Sequence, residues 1–204
     1  IGFCMLITRP VMDKIGVLTE EVDRIFFEDE DYSVRAQRAG FRCVVAKASY
    51  VVHHEHRTVK RMGEREAIFQ RNKRWVEERW GRRLRIASPR FVPVELGTTD
   101  LRAWLEQLVR WARQRMFVYA YCPTPAGVTM NDLFRSVEMV PHADVQWHPI
   151  PDHFARLTAA TKIMKRQKKR FDVIVAPDDR FASMMRGFQW LHRADIIPAS
   201  DTER

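Results

Sequence analysis

The chain has 204 residues, of which 46% are hydrophobic and 30% are charged, so it can bury a core and is not an intrinsically disordered polymer. Lys and Arg number 35 against 26 Asp and Glu, and the net charge of +9 favours acidic partners. No apolar run approaches the roughly 18 residues of a membrane-spanning helix.

The first 27 residues predict a strand, a short helix and a loop. The apolar run from Gly2 to Thr8 lacks alternation, which is typical of a buried strand. Pro10 suits a first helical turn, and the helix is predicted to end at Gly16. Residues 18–27 are predicted to form a loop that a scaffold positions for function.

Four consecutive carboxylates, Glu28 to Asp31, come next and repel one another. A helix N-terminus offsets such repulsion, and an apolar stripe with helical spacing follows at Tyr32, Ala36 and Ala39 before a stop at Gly40. Glu28 and Asp29 are therefore predicted where a loop meets a helix, in partial contact with solvent. There they could serve as a general base or only as first-turn caps.

Residues 41–46 and 49–53 predict two short strands, which lead into a histidine cluster. His53, His54 and His56 lie close together and suggest a metal site, since neutral imidazole is the commonest metal ligand. Adjacent strand residues point to opposite faces, so one ion would not easily take both His53 and His54. A surface histidine patch is the alternative.

Residues 61–87 are predicted to be mostly one helix with a basic face, which either is solvated or meets lipid headgroups or a phosphorylated acceptor. Two prolines and a glycine predict a linker over residues 88–99. Asp100 can cap an amphipathic helix over 100–115. That helix is expected to pack against a domain, with a membrane surface as the alternative.

From Phe117 the pattern alternates between strand and helix. Strands are predicted near 117–121, 145–147, 171–176 and 195–198, and such alternation favours a parallel, Rossmann-like sheet with right-handed crossovers. The sequence therefore predicts an α/β chain whose second unit spans 100–204. The loop 123–127 lacks the triple-glycine dinucleotide fingerprint.

The basic run from Lys162 to Arg170 has no interleaved aromatic residues, so nucleic acid is not an expected partner. Cys4 and Cys43 lie in apolar runs, and with Cys122 they make an odd, widely spaced set. Reduced, buried thiols and a cytoplasmic location are expected.

Four spaced elements in residues 1–87 resemble the C-terminal, acceptor-side half of family-2 glycosyltransferases. They are the run Gly2–Ile7, the helix end at Gly16, the box Phe26–Phe41, which reads F-x-E-D-x-D-Y-x-x-R-x-x-x-A-G-F, and Val51-Val52-His53. Tyr32 stands where the family usually has Leu.

The resemblance implies part of a GT-A fold in residues 1–87 and an inverting transfer of sugar from a nucleotide-sugar donor to a saccharide, lipid-linked or protein acceptor, in polysaccharide or glycoconjugate synthesis. It implies Asp29 as the general base, Glu28 as its neighbour or orienter, and Asp31 on the acceptor side. The family's nucleotide-binding half precedes this region, so the chain is expected to be a fragment that is inactive alone.

The same resemblance implies a donor side near the histidine cluster. His53 is expected to bind a divalent metal ion, Mg²⁺ or Mn²⁺, or to contact the diphosphate. Arg57 and Thr58 are expected to approach the diphosphate. A peripheral membrane contact is also possible.

Two other functions fit the same residues. One is a binding or scaffold module that keeps the fold without donor binding. The other is a metal hydrolase built on His53, His54 and His56 together with the acids.

Overall fold

The computed structural model describes residues 4–22, 25–46, 48–52 and 63–200. The chain divides into two compact units, Ile1–Arg82 and Arg83–Arg204. This division lies before the linker expected at 88–99. The difference arises because Arg85–Pro89 forms a strand of the second unit rather than the end of the first domain and the start of a linker.

The described part of the first unit is helical. Its helices are α1 (Arg9–Ile15), α2 (Glu28–Arg38) and α3 (Arg65–Trp80). The predicted starts and ends of α1 and α2 are confirmed: Pro10 lies in the first turn of α1, which Gly16 ends with φ +76°, and α2 begins at Glu28. The helix predicted over most of 61–87 is α3, but it ends at Trp80, and Arg85 to Ala87 lie in a strand.

The strands expected in the first unit are absent from the described parts of these segments, which are residues 4–8, 41–46 and 48–52. Their apolar side chains face solvent: Leu6 is 96% exposed, Val45 80% and Tyr50 89%. A strand is held by hydrogen bonds to a neighbouring strand, and none of these segments has one among the described residues. For the same reason Cys4 and Cys43 are exposed, contrary to expectation, while Cys122 is buried.

The second unit is a five-stranded, all-parallel sheet in the order β3-β2-β1-β4-β5. Its strands are β1 (Arg85–Pro89), β2 (Phe117–Pro123), β3 (Val145–Ile150), β4 (Val173–Ala176) and β5 (Asp195–Pro198). Its helices are α4 (Thr99–Arg113), α5 (Met130–Ser136), α6 (Ala155–Met164), α7 (Asp179–Gly187) and α8 (Gln189–His192). The predicted Rossmann-like α/β architecture is confirmed, and this order is that of dinucleotide-binding sheets.

Alternate residues of each strand supply two hydrophobic cores. Val118, Ala120 and Cys122 of β2 belong to the core that α4 and α5 cover. Tyr119 and Tyr121 belong to the core that the helices α6 and α7 cover. This pleated alternation buries both faces of the sheet, which gives the unit three layers.

Helix α4 packs on the sheet, as the domain-packing interpretation predicted. Leu101, Leu105 and Leu108 are buried, and the ring of Trp104 lies 5.5 Å from that of Trp147. Thr98, not the expected Asp100, caps the helix by accepting a hydrogen bond from the Leu101 N–H at 3.2 Å. The apolar face of α4 is therefore not a free membrane surface.

Candidate functional site

The acid box begins α2 from an unusual backbone turn. Phe26 and Phe27 both have positive φ, +72° and +75°, in the left-handed region that large side chains rarely adopt. Each such residue costs about 1–2 kcal/mol relative to an ordinary conformation. Strain of this kind persists where the surrounding structure holds it, and it is concentrated at functional sites.

Helix α3 holds this turn in place. The ring of Phe69 packs against those of Phe26 and Phe27 at centroid distances of 5.4 and 5.3 Å. The amide of Asn72, only 2% exposed, donates hydrogen bonds to the carbonyl oxygens of Ile25 at 2.7 Å and Phe26 at 3.3 Å. These contacts fix the turn to α3, so the direction in which α2 begins at Glu28 is fixed as well.

Glu28 and Asp29 lie at the first turn of α2 and are half-buried, as the sequence predicted. One Asp29 carboxylate oxygen, Oδ1, accepts a hydrogen bond from the Glu30 N–H at 2.9 Å, and the Asp29 carbonyl oxygen accepts one from the Ser33 hydroxyl at 2.7 Å. The Glu28 Oε2 atom is buried and has no hydrogen-bond partner among the described residues. A carboxylate at this position in partial contact with solvent can come within hydrogen-bond reach of an acceptor hydroxyl, which is the geometry that a general base needs.

Asp31 is a buried carboxylate with hydrogen-bond partners inside the first unit. It is 0% exposed, its Oδ2 accepts from Arg35 Nε at 2.8 Å, and its Oδ1 accepts from Trp80 Nε1 at 2.9 Å. These contacts are structural, because the box folds into a helix whose i and i+4 residues pair inward, and the acceptor-side position of Asp31 stays a prediction.

Arg35 extends this network to α1. Its Nη1 and Nη2 groups donate to the carbonyl oxygens of Ile15 at 2.6 Å and Val17 at 2.8 Å, and the Tyr32 hydroxyl donates to that of Gly16 at 3.0 Å. These carbonyls lie at the end of α1, where helical partners are lacking. The polar residues of the box therefore join the three helices and fix the direction of Glu28 and Asp29.

The donor-side residues expected from the sequence, His53, Arg57 and Thr58, lie outside the described residues, as do His54 and His56. The hydrolase alternative depends on the same cluster. Within the described ranges, no group of three or more His, Cys, Asp or Glu side chains converges as a metal site would require.

The second unit contains the buried Cys122 thiol and two titratable groups that sequence reasoning did not single out, Tyr121 and His148. Burial raises the pKa of the Cys122 thiol to about 12, so this thiol stays protonated near neutral pH and is unsuited to nucleophilic catalysis. Burial likewise raises the pKa of Tyr121 to about 12, although the nearby Arg166 guanidinium opposes the shift. The ring of His148 stacks on that of Tyr121 at 5.1 Å. Only the three-dimensional pairing of β2 with β3 brings these rings together.

Residues 1–78 match the family model described as glycosyltransferase like family 2. The first unit is related to the family-2 glycosyltransferases. The match includes the acid box and Asn72, so both the carboxylates and the helix that holds their turn lie in the related segment. No curated protein and no solved structure matches the chain significantly.

The described part of the chain contains no helix that is long and apolar enough to cross a membrane.

Proposed function

We propose that the first unit supplies the acceptor-activating side of an inverting glycosyltransferase. In this reaction an acceptor hydroxyl attacks the anomeric carbon of a nucleotide-sugar donor from the face opposite the nucleoside diphosphate. The family match of residues 1–78 supports sugar transfer in general. The observation that carries the proposal is the pair of half-buried carboxylates on a rigidly held helix N-terminus.

Asp29 is the proposed general base. Its carboxylate takes the proton from the acceptor hydroxyl as the oxygen–carbon bond forms and the bond to the diphosphate breaks. Such a base must come within hydrogen-bond reach of the hydroxyl, which a helix-borne carboxylate in partial contact with solvent allows.

Glu28 is the proposed orienting neighbour. Its buried, unpartnered Oε2 can accept a hydrogen bond from a bound acceptor, because a buried carboxylate oxygen without a donor costs free energy that such a bond recovers. Asp31 is proposed to stabilise α2 from its buried side, through its hydrogen bonds with Arg35 and Trp80, and not to touch the acceptor.

The donor side of the proposal rests on His53, Arg57 and Thr58 as diphosphate contacts. A divalent cation, Mg²⁺ or Mn²⁺ with His53 among its ligands, supplies charge neutralisation at the leaving diphosphate when it is bound. Among the described residues, which do not include His53, no group of three or more His, Cys, Asp or Glu side chains converges as a metal site. The proposal includes a cytoplasmic location and a saccharide, lipid-linked or protein acceptor.

The test is Asp29→Asn in an active enzyme that contains this unit, with Glu30→Gln as the matched carboxylate-to-amide control on the same helical turn. We expect Asp29→Asn to lower kcat by about 10²–10⁴-fold, since general base catalysis contributes that much. Nucleotide binding, measured by calorimetry, should persist in both variants. If Asp29→Asn keeps transfer within about tenfold of wild type, Asp29 is not the base.

A further inference from the structure

The helices of one layer of the second unit end at the same edge of the sheet. Helix α6 leads into β4, and α7 with α8 leads into β5. Strands β4 and β5 are parallel neighbours, so both begin at one edge, and the ends of α6, α7 and α8 lie there together. Helices α6 and α8 also contact each other directly.

This edge carries an excess of positive charge. Its basic side chains come from the end of α6, the segment after it and the end of α7: Lys162, Lys165, Lys168, Lys169 and Arg186. All five residues are exposed, and none makes an ion pair with a residue that the structure describes. Their charge is therefore available to an external partner.

Two aromatic side chains protrude from the same edge. Phe188, between α7 and α8, is 43% exposed, and Trp190 of α8 is 74% exposed. All five residues from Arg186 to Trp190 are exposed. We call these seven side chains, the five basic ones with Phe188 and Trp190, the basic–aromatic patch.

We propose that the basic–aromatic patch binds the surface of an anionic phospholipid bilayer. Lysine and arginine side chains are attracted to the negative surface potential of such a membrane. Tryptophan places its ring at the headgroup level, with its apolar body toward the acyl chains and its N–H toward water. The patch thus matches a lipid surface in both charge and apolar content.

The arrangement favours a bilayer over a nucleic acid. Single-stranded nucleic acid is held in a basic groove whose aromatic residues stack successive bases. Here both aromatic residues lie within three positions on one chain segment, and the lysines come from a neighbouring helix and the segment after it. That pattern is typical of a shallow insertion flanked by charge.

The proposal is independent of glycosyl transfer and is tested with the full 204-residue chain. Cosedimentation is measured with vesicles of phosphatidylcholine alone and of phosphatidylcholine mixed with phosphatidylserine. We expect binding only to the mixed vesicles, with weakening as salt increases. Binding of equal strength to both compositions overturns the proposal.

Two variants with matched controls locate the surface. Changing Lys162, Lys165, Lys168 and Lys169 to Gln should weaken binding at least a hundredfold, at about fivefold per charge. Its control changes four exposed arginines outside the patch to Gln: Arg74, Arg110, Arg135 and Arg180. An equal loss in the control shows binding by net charge alone and overturns the assignment to this patch.

The aromatic contribution is tested with Trp190→Ala, compared with Leu157→Ala, which removes another exposed apolar side chain. We expect about tenfold weaker binding for Trp190→Ala and no change for Leu157→Ala. Circular dichroism confirms the fold of each variant. If single-stranded RNA binds the chain more tightly than the mixed vesicles and competes for the same lysines, the partner is a nucleic acid and the proposal fails.

Discussion

Two apolar segments of similar sequence lie in opposite environments in the two units. Val173-Ile174-Val175-Ala176 forms β4, where Ile174 is 0% exposed between two neighbouring strands. Val44-Val45-Ala46 of the first unit has no described strand partner, and Val44 and Val45 are 78% and 80% exposed. The comparison shows that β-propensity selects a conformation only when a neighbouring strand supplies the hydrogen bonds and the covering face.

The largest expected effect tests this contrast directly. Ile174→Ala should destabilise the second unit by about 2–5 kcal/mol, because it removes buried methylene groups and leaves a cavity. Val45→Ala should change the free energy of unfolding by less than about 0.5 kcal/mol, because the side chain is exposed. Urea denaturation, with hydrogen exchange to separate the two units, measures both.

The contrast fails if Val45→Ala costs more than about 1 kcal/mol, since a loss of that size requires a buried side chain. Val44→Ala provides a second exposed position in the same segment. A neutral result at both, with a large loss at Ile174, shows that the two segments differ in solution as they do in the structure.

Polar pairing holds the first unit together where apolar strands do not. Asp31→Asn should destabilise this unit by about 3 kcal/mol, because it leaves the Arg35 guanidinium without its anion and turns the amide NH2 group toward one of two donors, Arg35 Nε or Trp80 Nε1. This value lies at the low end of the cost of breaking a buried ion pair, because the Arg35 side chain is still 16% exposed. Faster hydrogen exchange in α1 and α3 as well as α2 should accompany the loss.

Asp13→Asn is the matched control for this pair, because Asp13 is exposed on α1 and the substitution removes the same charge. It should leave hydrogen exchange unchanged. Equal effects of the two substitutions indicate that net charge, rather than the Asp31 network, governs the stability of the first unit.

Local sequence signals predicted the parts of the fold that local physics determines. The helix starting at Glu28, the end at Gly16 and four of the five strands of the second unit followed from periodicity and turn residues. Strand β1 was missed because it ends at Ser88-Pro89, residues more typical of a linker. Its central place in the sheet depends on β2 and β4, which lie far away in sequence.

The candidate site was predictable to a similar extent. The positions of Glu28 and Asp29 at a helix N-terminus followed from the acid run and the apolar stripe after it. The burial of Asp31 did not, because it depends on Trp80, 49 residues away. The clamp from Asn72 to the Ile25 carbonyl spans 47 residues and has no local sequence signal.

The smallest expected effect concerns a histidine in the second unit. Burial is the main cause that lowers the pKa of His148 below its ordinary 6.5, and the positive charges of Lys162 and Arg166 act in the same direction. Its Nε2 atom is buried and has no hydrogen-bond partner among the described residues, while its ring stacks on Tyr119 and Tyr121. The folded state therefore favours the neutral imidazole.

The sign of the pH dependence follows from this shift. Below pH 6.5 the unfolded chain takes up a proton at His148 that the folded chain resists, so stability is fully present above 6.5 and is lost as the pH falls toward the folded pKa. His142, whose pKa is lowered chiefly by burial, acts in the same direction. His148→Gln should thus reduce, but not abolish, the fall in urea midpoint of the second unit on acidification. A wild-type slope in this variant would show that His148 gains its proton equally well in the folded chain, which requires water or an anion at the Nε2 atom.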